Sequence, residues 1–125
     1  MSPPPTVASL RQRLRAALTA ALKERDSNAV AALRSALGTI DNAEAVDPVH
    51  RPTSGGGAIA GALTGLGAGE VARRDLSGMR AAAILGDEVA SWESTAADYQ
   101  RLGRHHEAAL LRAQAAVVRT HLAGD

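Results

Sequence analysis

Cysteine and phenylalanine are absent from this 125-residue chain, and tryptophan and tyrosine occur once each. Without cysteine there is no disulfide framework and no thiolate chemistry. Without phenylalanine a core must rest on Leu, Val, Ile and the close approach of helices through Ala. Nowhere do β-branched and aromatic residues alternate with period two, so no strand is expected. No run of 18 apolar residues and no charged-then-apolar leader appears, which excludes a spanning helix and a signal peptide and makes a soluble, cytoplasmic protein with no membrane partner the expectation. Neither sign of charge is in excess: the formal net charge of +1 gives no global drive toward nucleic acid or an anionic surface.

What the chain does have is alanine and helical periodicity, and its length suits one domain. Val30, Leu33, Leu37 and Ile40 recur at three, four and three, which predicts a helix over 27–46 with Asp26 or Ser27 as its cap. Before it, Leu10, Leu14, Leu18 and Leu22 lie four apart and predict a helix over 7–24, preceded by a mobile Pro-rich lead-in at 1–6. The short link at Arg25–Asp26 makes these two an antiparallel hairpin. Leu85, Val89, Trp92, Ala96 and Tyr99 predict a third helix over 77–102 capped by Asp75 or Ser77, and both aromatics read as core on its apolar face. Gly103 suits a left-handed helix end, and Leu111, Ala115, Val118 and Leu122 predict a fourth helix over 104–122, hence a second hairpin. The expected fold class is all-α, four helices in two antiparallel hairpins forming a single domain over 7–122. The second helix should be central, with Leu33 and Leu37 among the most buried residues. A Gly/Pro-rich connector over 47–74 joins the hairpins, and its stretch from Pro48 to Gly67 should contribute little to the core.

Chemistry is harder to find. The Gly-rich connector lacks the Gly-Lys-Ser/Thr ending of a phosphate-cradling loop, and no strand precedes it. Gly57, Gly61 and Gly65 form a small-residue series that, if helical, could pack closely against the domain itself or against a second copy of the chain. His105 and His106 are adjacent and point about 100° apart on a helix, so they cannot share a metal unaided. Asp41 and Glu44 share a helical side, but away from the apolar face, where a solvated pair is the plainer reading than an acid–base pair. No catalytic residue, metal site or cofactor is expected. Arg11, Arg15 and Lys23 lie at multiples of four on the first helix. A solvated face is the plain reading of this row; a face that follows a sugar–phosphate backbone is the functional one, with Arg34 and Arg101 as outliers.

LKERD at 22–26, VAALRSAL at 30–37, IDNAEAV at 40–46, GEVARRDL at 69–76, EVASWESTAADYQRLGR at 88–104 and RAQAAVVRTHL at 112–122, taken in their order and spacing, resemble the GatB/YqeY family. The resemblance covers Leu14 to Val46 and Gly69 to Leu122. It implies an all-helical domain, shared by stand-alone YqeY-like proteins and by the tail of the B subunit of the glutamine-dependent aspartyl/glutamyl-tRNA amidotransferase, a carbon–nitrogen ligase whose related tail contacts tRNA while chemistry happens elsewhere. The implied role is a non-catalytic accessory domain of tRNA amidation, with tRNA or the amidotransferase subunits as partners; the rival is a protein-interaction or homodimerisation module with no RNA role. Three departures bear on this. Members continue past the position of Leu122 into a second small domain. Many carry an Arg pair where this chain has Trp92 and Glu93. The last helix typically carries Glu and Tyr where Gln114 and His121 stand here. Loss of an Arg pair and of binding surface works against RNA, so any tRNA affinity should be weak.

Overall fold

The computed structural model describes residues 5–46 and 66–123, and within them there are four α-helices and no strand. Helix α1 runs Val7–Glu24, α2 Ser27–Val46, α3 Leu66–Arg101 and α4 His105–Leu122. The all-α expectation holds, and three of the four helices lie within a residue of the ranges expected from periodicity.

Local chemistry sets the ends. Thr6 and Ser9 form a capping box: the Ser9 amide donates to Thr6 Oγ1 at 3.0 Å and the Thr6 amide donates to Ser9 Oγ at 3.0 Å. Thr6 therefore belongs to the fold and not to a mobile lead-in. At the other end Arg25 takes up the left-handed conformation, φ 57°, and the Asp26 amide reaches back to the Ala21 carbonyl at 3.0 Å. Asp26 in turn caps α2 by accepting from the Ala29 amide at 3.1 Å. Gly103, at φ 80°, makes the turn between α3 and α4, where the Arg104 amide donates to the Tyr99 carbonyl at 2.8 Å.

Helix α3 corrects the sequence reading. It starts at Leu66, not near Ser77, so neither Asp75 nor Ser77 is its cap and residues 66–74 of the expected connector are helical. The physical reason is that no proline lies between Pro52 and the periodic segment, while Ala, Glu and Arg from 68 to 74 all favour helix. Ser77 instead turns inward, 4 % exposed, with no hydrogen-bond partner for its hydroxyl among the described residues. The expectations for 47–65 and for the lead-in at 1–4 fall outside the described residues.

Each hairpin is antiparallel, as side-chain ties show. Arg11 near the start of α1 reaches Asp41 and Glu44 near the end of α2, and Arg119 late in α4 reaches Glu93 within α3. Every pair of helices is in contact. Leu10, Leu14, Leu33, Ile40, Leu85 and Val118 fill the core, and Ala36, Ala96, Ala108 and Ala115, all fully buried, let the helix axes approach closely. Leu33 is buried as expected, whereas Leu37 is only half-buried. The leucine row of α1 also fails over its length: Leu18 is half-buried and Leu22 is 49 % exposed. A row at spacing four drifts about 40° per step round a helix of 3.6 residues per turn, so its far end leaves the core face. Trp92 packs against the core. Tyr99 does not join it; its half-buried ring stands under the Arg104 guanidinium, 5.2 Å from the centroid.

Candidate functional site

The basic row on α1 is not a free row. Arg11 is largely covered and donates to Asp41 at 2.9 Å and to Glu44. The bond to Glu44 chiefly, with Asp41 adding to it, raises the Arg11 pKa above its ordinary value against the opposing effect of burial. Asp41 keeps most of its side chain in solvent, as expected, while Glu44 is half-buried; with Arg11 they form a clamp that pins the first turns of α1 to the last turns of α2. The sequence signal was in plain view, since three residues fell off the apolar faces of two helices already expected to be antiparallel.

The remaining candidates are scattered. Arg15 is exposed one turn beyond Arg11 on α1. Lys23 is exposed near the end of the same helix, and its 12-residue separation from Arg11 turns it about 120° round the axis. Arg34 is exposed on the outward side of α2. Arg101, at the end of α3, is paired with Asp98. Arg15, Lys23 and Arg34 are drawn into no ion pair among the described residues. The fold therefore keeps three of the candidate cations exposed on the α1–α2 hairpin, takes Arg11 out of the set, and leaves Arg101 apart from it.

Several polar ties link helices that periodicity alone could not pair. Glu88 of α3 accepts from the hydroxyls of Ser35, at 2.8 Å, and Thr39 on α2. Asn28, in the first turn of α2, donates to the Leu110 carbonyl at 3.0 Å and accepts from Gln114 at 2.7 Å. Gln114 and His121 lie on the side of α4 that meets α2 and α1: Gln114 donates to Asn28, and the His121 carbonyl accepts from Arg13 at 2.9 Å. Trp92 sits against the core beside Glu93, whose carboxylate holds Arg119.

Of the histidines, His105 and His106 are exposed in the first turn of α4. Glu107 in that turn has its pKa lowered, first by a backbone hydrogen bond at the helix start and then by Arg104, which donates to it at 2.6 Å. His121 is half-buried at the far end of α4 and its pKa is lowered, by burial first and by the charge of Arg13 second. Among the described residues no three His, Cys, Asp or Glu side chains group so as to hold a metal ion. None of the described helices is long and apolar enough to cross a membrane. No family model, no curated protein and no solved structure matches the chain.

Proposed function

We propose that this chain is a non-catalytic helical accessory module of the YqeY type, working in the cytoplasm alongside glutamine-dependent tRNA amidation and touching tRNA weakly through the α1–α2 hairpin. The observation that carries this reading is the placement of the segments behind the resemblance. LKERD forms the last turn of α1 and the following turn, VAALRSAL and IDNAEAV lie on α2, GEVARRDL and EVASWESTAADYQRLGR run along α3 into the Gly103 turn, and RAQAAVVRTHL lies on α4. Arg15, Lys23 and Arg34 supply the phosphate contacts, while Arg11 supports them by fixing α1 against α2.

Two or three contacts give a log–log salt slope of about −1.5 to −2.5 at 0.7–0.9 per phosphate, with affinity in the non-specific range of about 10⁻⁴–10⁻⁶ M. Titrating tRNA at low and at physiological salt tests this. Arg15→Glu with Lys23→Glu should abolish binding and leave the helix content unchanged. Arg11→Glu is the wrong variant, because a third carboxylate beside Asp41 and Glu44 would loosen the hairpin itself. Absence of binding at low salt, or binding that survives the double reversal, removes the RNA role.

In that event the second reading, a protein-interaction or homodimerisation module, takes its place. It has an observation of its own: Leu22 at 49 %, Leu102 at 73 % and Leu110 at 39 % exposure all lie toward the end of the molecule that carries the two short turns. Size-exclusion chromatography across a range of concentrations would show self-association through that end, and an amidotransferase subunit is the heterologous partner to try.

A further inference from the structure

The last turn of α4 meets α1 in an unusual way. Arg13 Nη1 donates to the main-chain carbonyl of His121 at 2.9 Å, while the His121 side chain is itself half-buried there. Leu122 beside it packs against the core, and the Ala123 amide closes the helix on the Arg119 carbonyl at 3.1 Å.

An exposed imidazole at a helix C-terminus is ordinarily favoured in its charged form, because the unpaired carbonyls there carry partial negative charge. Here the carbonyl end is already occupied by the Arg13 guanidinium. A proton on His121 would therefore place a second cation beside the first, in a site that excludes much of the surrounding water. Among the described residues no carboxylate offsets it. Among the described residues, Arg13 on α1 is the one charged group from α1, α2 or α3 that acts on this imidazole, and the nearest charged side chain along α4, Arg119, is turned to Glu93 of α3.

We propose that the C-terminal turn of α4 is an acid-sensitive latch, docked on α1 through Arg13 and His121 while the imidazole is neutral and released when it takes up a proton. The direction follows from linkage. The released state, with a solvated imidazole, binds the proton more readily than the docked state, whose His121 is held below the ordinary value. Docking is then complete above the free-imidazole range near pH 6.5 and weakens as pH falls through that value toward the lowered one. Release frees Leu122 and opens the edge between α1 and α4.

Amide hydrogen exchange on the full chain tests the latch, comparing residues 119–123 at about pH 7.5 and about pH 5.5 after correction for intrinsic rates. The expected result is a selective loss of protection in this turn at the lower pH, with α2 and the middle of α3 unchanged. His121→Gln should keep the protection seen at the higher pH and lose the response to acid. An equal response in wild type and His121→Gln overturns the proposal. Should the variant fail to fold, the wild-type chain decides instead: a His121 ring pKa at or above that of a free imidazole in an NMR titration overturns the latch, and a lower one upholds it only if protection of residues 119–123 is lost over the same pH range, a loss without which the latch is overturned.

Discussion

At the scale of the residue, the tightest steric constraint on a glycine among the described residues sits at Gly78. A methyl group there would collide with the carbonyl oxygen of Pro5 and lie 2.7 Å from the Pro5 carbonyl carbon and 2.8 Å from Thr6 Cα. These are backbone atoms, so no side chain can swing aside. The same two residues lead into the capping box of α1, which ties the start of that helix to the body of α3. Gly78→Ala should therefore cost about 1–3 kcal/mol for overpacking, with about another 1 kcal/mol if the displaced Thr6 loses its cap. Urea unfolding would read this directly, and a variant as stable as wild type would mean that Pro5 and Thr6 move off at no cost. Nothing in the sequence around Gly78 announced the contact, because Pro5 and Gly78 are remote in the chain and a helical glycine reads as a weak spot. Arg11 is a different case. Its partners Asp41 and Glu44 are legible as residues and as a spacing, and the ion pairs follow once α1 and α2 face each other as antiparallel neighbours.

At the scale of the element, periodicity located α1, α2 and α4 closely and misjudged the beginning of α3. The rule that served was spacing of three and four; the one that failed was treating glycine as a boundary. Gly67 and Gly69 lie inside α3, where each lowers helix propensity without ending the helix as proline would. Periodicity also misled over long stretches of α1, where Leu22 keeps the spacing of its row yet faces solvent. Helix α2 carries an interior glycine of the opposite kind to Gly78. Gly38 is exposed, and a methyl group placed on it would meet nothing within 4 Å. Its effect is then propensity alone, so Gly38→Ala should stabilise the protein by about 0.8–1 kcal/mol. The check is a rise in the denaturant midpoint at unchanged slope. A loss of stability would show that the outward side of α2 is covered in solution by something that tolerates only glycine.

At the scale of the whole molecule, α2 is the element on which the two hairpins depend. It forms one half of the first hairpin, and it is tied to α3 through Glu88 and to α4 through Asn28 and Gln114. Its inward residues Ala29, Ala32, Leu33, Ala36 and Ile40 are all buried. A cavity made there is felt on both sides. Leu33, 1 % exposed, is the largest side chain midway along that face, and Leu33→Ala should cost about 2–5 kcal/mol out of a total on the order of 5–15 kcal/mol. The form of the loss is as informative as its size. If α2 holds both hairpins in one cooperative unit, helix content and Trp92 fluorescence should melt together in the variant, at a lower temperature but in a single step. Trp92 belongs to α3 and packs on the shared core, so it reports on the second hairpin, while circular dichroism reports on all four helices. Two separated transitions, with the tryptophan signal keeping its wild-type midpoint, would show that α3 and α4 stand without α2 and that the molecule is two hairpins side by side. A variant that melts like wild type would displace Leu33 from the centre altogether.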